Sequence, residues 1–218
     1  MDGEFEMYAQ GHGGLGVGLT GAHRTGKTTT AIAVAEGNGI PFLGSIGTDL
    51  AREMRIDFSK PIDFDTRLAY QEARIAMFDA AYKLQNSLFV ADRTPLDLAA
   101  YLLADVPTDL SDQGVIERVD AYVQRCFDMT NTYFRHITFF QPALPYVDEP
   151  GKPPNNSAYQ EKIHILALGL TVDRRNYRRV DFLPFDMLNL GQRVNFVSTK
   201  AQKAMSSYAA KIRNLPTC

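Results

Sequence analysis

Residues Gly21-Ala22-His23-Arg24-Thr25-Gly26-Lys27-Thr28 decide how this chain is read. They meet the pattern G-x-x-x-x-G-K-[ST] without deviation, after a short apolar run and at the opening of a helical one, which is the setting the pattern requires. Glycines let the backbone turn tightly and aim its N–H groups at phosphate oxygens. The start of the following helix adds favourable potential for anions. Lys27 is placed to reach the outer phosphates of a nucleoside triphosphate, and the Thr28 hydroxyl to ligate magnesium, with Thr29 beside it. The residues from Gly21 to Thr29 are therefore the expected cradle for ATP with Mg²⁺. The upstream run Gly11-His12-Gly13-Gly14-Leu15-Gly16 matches G-x-G-x-x-G in letters only, because it precedes the strand that a dinucleotide fingerprint must follow.

Working outward, residues 15–20 read as a buried strand and residues 27–36 as a helix, with Gly37 and Gly39 as stop signals. A short strand at 40–43 precedes a long helix at 65–85, in which Leu68, Ile75, Phe78 and Tyr82 share a face. A strand at 87–91 runs into Asp92-Arg93-Thr94-Pro95, and Pro95 takes the first position of a helix continued by 96–103. A loop at 107–111, a long helix at 114–134 and a strand at 136–140 follow. Residues 141–157 hold Pro142, Pro145, Pro150, Pro153 and Pro154 and read as loop. The remainder predicts a helix at 158–170, an arginine-rich stretch at 173–179, a strand or extended segment at 180–185 and a closing helix at 192–212. Strands alternating with helices imply an α/β fold, a parallel sheet with helices on both faces. With no repeat and no convincing linker, residues 1–218 read as one domain, with a loose lead-in over 1–13 and a small lid at about 144–180.

The 218 residues are 45% hydrophobic and 22% charged, enough for a sizeable core and unlike a disordered chain. A net charge of −2 gives no reason to expect strong non-specific binding to nucleic acid. Cys126 and Cys218 are too few for a disulfide framework and imply a reducing compartment. His12, His136 and His164 lack metal-ligand spacing, and His23 reads as a variable loop residue. No apolar run reaches the length of a membrane span, and the start Met1-Asp2-Gly3-Glu4-Phe5-Glu6 is acidic where a signal peptide is basic. The expectation is a soluble cytoplasmic protein with no membrane partner.

The strand ending in Asp92-Arg93-Thr94 narrows the chemistry. No guanine-reading Asn-Lys-x-Asp segment is present, and the chain has no room for the sensor elements of an oligomeric motor. Here the sequence resembles the P-loop nucleoside and nucleotide kinases, including thymidylate and deoxynucleoside kinases, which carry an acidic residue followed by arginine at the end of a central strand. Taken with Leu19-Thr20 before the loop and Pro95-Leu96-Asp97 after it, the pattern is also similar to bacteriophage kinases of deoxynucleotides and of hydroxymethylated pyrimidines in DNA. The resemblance spans the N-terminal half well and the C-terminal half loosely. It implies that Asp92 assists magnesium or accepts the acceptor's proton, and that Arg93 holds an acceptor or transferred phosphate. Alternatively, Arg93 pairs with Asp97 four residues on. Many nucleoside kinases place a carboxylate directly after the second strand; here Gly44-Ser45-Ile46-Gly47-Thr48-Asp49 offers only Asp49, so the base lies between Asp92 and Asp49.

Two weaker patterns concern the acceptor. Arg67, Gln71 and Arg74 share a helix face at i, i+4 and i+7, and could read a base or phosphate, or be a solvated polar face. Arg174, Arg175, Arg178 and Arg179 form the densest positive cluster. They read as a lid over the triphosphate joined by Lys152, as a solvated turn, or as a contact to a polynucleotide backbone. The expected partner is a nucleoside or nucleotide acceptor, with hydroxymethylated DNA as the competing one. From another class, a nucleotide switch or an ATPase subunit stays open.

Overall fold

The computed structural model describes residues 14–44, 48–57, 60–146 and 156–213. Strand β1 (Gly16–Thr20) is buried along its whole length, as a central strand covered on both faces must be. It pairs on one side with β3 (Phe89–Ala91) and on the other with β4 (Phe134–Phe139); β2 (Phe42–Leu43) lies outside β3 and β5 (Arg179–Phe182) outside β4. Every pairing is parallel, giving the order β2-β3-β1-β4-β5. The register puts Thr20 level with Phe139 and Phe139 level with Phe182, while His136 is level with Arg179. All strands thus end on one side of the sheet, and the phosphate loop, Asp92 and the segment after β4 issue from that side.

Helices α1 (Lys27–Asn38) and α7 (Leu190–Arg213) cover one face, packing Ala31, Val34, Val197 and Ala201 against Val17, Leu19 and Val90. The short α2 (Thr48–Glu53) follows β2. Helices α3 (Phe64–Lys83), α4 (Pro95–Asp105), α5 (Gln113–Tyr133) and α6 (Ser157–Val172) contribute to the core on the other face. The predicted stripe Leu68, Ile75, Phe78 and Tyr82 lies entirely within this core. Tyr82 stacks on Phe89 at 5.8 Å and meets Phe134 edge-on at 5.2 Å. Burial of such side chains contributes roughly 1.5–3 kcal/mol each.

Among the differences from the sequence reading, three bear on the fold. Gly39, at φ 62°, closes α1, and Gly37 stays inside the helix. Phe134 turns extended instead of continuing α5, so the helix passes directly into β4 and places this ring against Phe89. Helix α2 has no counterpart in the expectations; it is too short for periodicity to register. The lead-in over 1–13 lies outside the described residues. Among the described residues, no helix is long and apolar enough to cross a membrane.

Candidate active site

The loop between β1 and α1 is held from below. Gly21 takes φ 130°, and a Cβ there would stand 2.3 Å from the Phe140 carbonyl oxygen, so only glycine fits. Its N–H donates to Asp97 Oδ1 at 2.8 Å, and Asp97 Oδ2 accepts from the Thr94 N–H at 2.8 Å. One fully buried carboxylate therefore fastens the phosphate loop to the start of α4, where Pro95 opens the helix. Asp97 is a brace for the loop.

Lys27 lies 4% exposed at the base of the loop. Its Nζ donates to the Gly21 carbonyl at 2.8 Å, to the Ala22 carbonyl and to Thr25 Oγ1 at 3.3 Å. Burial first, and Arg93 second, lower its pKa to about 8, against the opposing pull of Asp97 and Asp92. An ammonium so desolvated gains strongly from an anion placed beside it.

Thr28 Oγ1 donates to Asp92 Oδ2 at 2.8 Å, joining the first turn of α1 to the tip of β3. Two hard oxygen donors this close are of the kind that would hold a magnesium ion, whose charge would offset that of bound phosphates. Among the described residues no group of three or more His, Cys, Asp or Glu is placed to hold a metal by itself. Arg93 follows Asp92 and lies over the Tyr101 ring at 5.0 Å; no ion pair to Asp97 forms, because that carboxylate is engaged by backbone N–H groups. Burial works against the Arg93 charge, but Tyr101, Asp97 and Asp92 outweigh it and raise the pKa. Its Nε and Nη1 are buried without a hydrogen-bond partner.

Two cavities meet at this point. The smaller, about 340 Å³, is lined by Gly26, Lys27, Thr28 and Thr29 with Leu144 and Pro145. The larger, about 900 Å³, is lined by Arg67, Tyr70, Gln71 and Arg74 of α3 with Tyr101 and Tyr159. His23, Arg24, Thr28, Asp92 and Arg93 border both. The α3 trio is thus gathered at one cavity and is not a solvated face: Gln71 is 5% exposed and near Tyr122, whose hydroxyl is 3.4 Å from its Oε1. Arg67 pairs with Asp105 at 2.8 Å, and burial with Arg93 lowers the Arg74 pKa. Glu72 points elsewhere, to Arg118.

His23 is more than a loop variable. Its Nδ1 is 3.1 Å from the Tyr101 hydroxyl and its Nε2 3.1 Å from the Tyr146 hydroxyl, while Gln160 donates to its carbonyl at 2.8 Å. Burial, then Arg93, Lys27 and Arg24, lower its pKa to about 4, so the ring is neutral at pH 7. No spacing rule marks this tyrosine cage, whose members are far apart in the chain. Asp97 and Tyr101, at i and i+4 on α4, were the available hint that this helix faces the loop.

The arginine-rich stretch is a correction. Arg179 opens β5 level with His136, at the end of the sheet opposite the phosphate loop. Arg174, Arg175 and Arg178 precede it there, after α6 has run back along the sheet. Arg175 pairs with Asp173 at 3.0 Å and lies over Phe127 at 4.2 Å; Arg179 pairs with Asp181 at 3.3 Å. Neither cavity is lined by any of the four, and they form no lid over the loop. Lys152 lies outside the described residues, as do residues 147–155 of the expected lid. Asp49 falls in α2, but its side chain also lies outside the description.

The sheet order, the glycine-bound loop and the braced Lys27 define a P-loop nucleotide-binding domain. The sequence profile of the AAA domain family matches residues 17–167, more than half of the chain, and the chain belongs to that family. No curated protein matches the sequence. Among solved structures the fold is similar to deoxyadenosine kinase from M. mycoides with bound dATP, at TM-score 0.65 and 11% identity, covering 86% of this chain and 99% of that one. It is also similar to thymidylate kinase from Candida albicans, at TM-score 0.60 and 14% identity, covering 90% and 92%. Thymidylate kinase from Ehrlichia chaffeensis matches at TM-score 0.53 and 15% identity, covering 89% and 99%. At such identities the likeness establishes the fold, that of the P-loop nucleoside and nucleotide kinases.

Proposed function

We propose that the chain is an ATP-dependent phosphotransferase that moves the γ-phosphate to a hydroxyl or phosphate of a nucleoside or nucleotide. The observation that carries this reading is the shared wall: Thr28, Asp92 and Arg93 border both cavities, one on the phosphate loop and one large enough for a second substrate. A pure nucleotide switch has no need of the second, arginine- and tyrosine-lined cavity.

In this reading the loop from Gly21 to Thr29 cradles the triphosphate. Thr28 and Asp92 would hold magnesium, which supplies charge neutralisation on the phosphates. Lys27 exchanges its bonds to loop carbonyls for a phosphate oxygen. Arg93, with Nε and Nη1 unpartnered where the cavities meet, steadies the group in transit. Phosphoryl transfer goes through a loose transition state that depends on positioning and charge neutralisation, so Asp92 suffices to orient the acceptor. Gln71, Arg67 and Arg74 line the acceptor's cavity. The DNA-base acceptor gains nothing from the arginine cluster, which lies at the other end of the sheet.

The test is incubation with labelled ATP and three acceptor sets: free nucleosides, nucleoside monophosphates, and duplex DNA with or without hydroxymethyluracil. Label is expected in the first or second set. Label only in hydroxymethyluracil DNA replaces this reading with the polynucleotide one. ATP turnover with no labelled acceptor overturns it in favour of an ATPase.

A further inference from the structure

Arg193 stands in the first turn of α7 and is 7% exposed. Its Nη2 donates to the Leu188 carbonyl at 2.9 Å, but Nε and Nη1 are buried with no hydrogen-bond partner. Burial alone accounts for its lowered pKa; no neighbouring charge contributes. This is a buried cation without a counter-charge among the described residues, an arrangement that folding by itself disfavours.

Its position suggests what compensates. A Cβ on Gly26 would lie 2.2 Å from Arg193 Nη1 and 3.0 Å from Leu144 Cδ1. The guanidinium is thus seated directly behind the glycine that caps α1 and precedes Lys27, and Gly26 and Leu144 both line the smaller cavity. Gly26 is where the chain turns, at φ 82°, to present the start of α1 to an anion. In a weakly polarisable interior a charge acts strongly on a neighbouring anion even without touching it.

We infer that Arg193 is a second cation of the phosphate loop: a positioning residue whose uncompensated charge, set behind Gly26, stabilises the phosphates of the bound nucleotide. The inference rests on the loop's binding a nucleotide and not on which acceptor is used. It also explains the glycine at position 26 twice over, by backbone angle and by the room the guanidinium takes.

The test compares binding of adenosine, AMP, ADP and ATP, each with magnesium, to the full chain and to Arg193→Met, by titration calorimetry. The expected loss grows with ligand charge, from less than twofold for adenosine to tenfold or more for ATP. Arg193→Lys, which keeps the charge but not the planar fork, is expected to recover most of the ATP affinity. The melting temperature of Arg193→Met without nucleotide should equal or exceed that of the parent, because a buried unpaired charge has been removed, while ATP should raise it less. A loss equal across all four ligands, or confined to a lowered melting temperature without nucleotide, overturns the inference and leaves Arg193 a packing residue. Should Arg193→Met not fold, Arg193→Gln, which keeps a donor for the Leu188 carbonyl, is read by the same charge series. Failure of the parent protein to bind any of the nucleotides would instead sink the nucleotide-binding reading itself.

Discussion

The two ends of the sheet hold two sets of arginines, and they differ in how the chain brings them together. At the amino end, Arg174, Arg175, Arg178 and Arg179 are adjacent in sequence, and Arg175 and Arg179 pair with the nearby Asp173 and Asp181. At the carboxyl end, Arg24, Arg74, Arg93 and Arg193 come from four separate segments and converge on the phosphate loop and its two cavities. Arg93 and Arg193 keep buried N–H groups without partners there. Density along the chain places arginines beside their own sequence neighbours, and even there Arg178 keeps a buried Nε without a hydrogen-bond partner; convergence in space from separate segments, at a cost in desolvation, is what suits a site to an anion.

The largest expected effect tests the carboxyl end at its centre. Lys27→Ala should reduce phosphoryl transfer by ~10²–10³ or more, the scale of a preorganised charge stabiliser, as measured by labelled-phosphate transfer. Retained transfer would remove the loop from the chemistry. Next, Asp92→Asn breaks the carboxylate that Thr28 meets at 2.8 Å. Its transfer rate should fall about 10²-fold or more if Asp92 orients the acceptor or the metal. The magnesium concentration for half-maximal rate should also rise, which a merely structural substitution would not produce.

How much of this was legible follows from where the information sits. The phosphate loop, Asp92 and the buried stripe of α3 were readable because each is a local pattern: a motif, a strand end, a helical period. Arg67, Gln71 and Arg74 were legible as a face, though only the fold shows that the face lines a cavity. The arginine cluster reads as a lid, a solvated turn or a polynucleotide contact alike, because a run of like residues carries no information about which end of a parallel sheet it reaches. That depends on the length and direction of α6, a tertiary property. The cage around His23 and the seat of Arg193 were illegible, since Tyr101, Tyr146, Gln160 and Gly26 meet them only after folding.

Smaller effects separate bracing from chemistry. Asp97→Ala leaves the Gly21 and Thr94 N–H groups buried without an acceptor. Each such loss costs about 1–3 kcal/mol, so urea denaturation should show a drop of roughly 2–6 kcal/mol, with weaker nucleotide binding as a consequence. A pH series then compares the ends directly, through His23 at one and His136 at the other. His23 at the loop and His136 beside Asp181 both have pKa values lowered to about 4, burial being the main cause in each. In the unfolded chain each takes up a proton near pH 6.5, before the folded protein does. The unfolded state therefore binds more protons between about pH 6.5 and 4, and stability should fall as pH falls through that window. Replacing either histidine by glutamine should lower the slope by up to one proton, ~1.4 kcal/mol per pH unit. An unchanged slope in His23→Gln would mean that the cage does not hold the ring neutral.

The smallest effect is the one that most sharply divides the two ends. Arg174→Ala with Arg178→Ala removes two positive charges from the densest cluster in the chain. If charge near the nucleotide were what mattered, whatever its position, this double variant should weaken ATP binding as a single loss at the loop does. The geometry says otherwise: the length of the sheet lies between these residues and Thr28, and charges separated by more than about 8–10 Å through solvent are largely screened at physiological salt. Transfer rate and ATP affinity are therefore expected to stay within about twofold. A tenfold loss of ATP affinity in that variant, with its melting temperature unchanged, would bring the cluster back over the nucleotide and dissolve the distinction between arginines clustered in sequence and arginines converging in space.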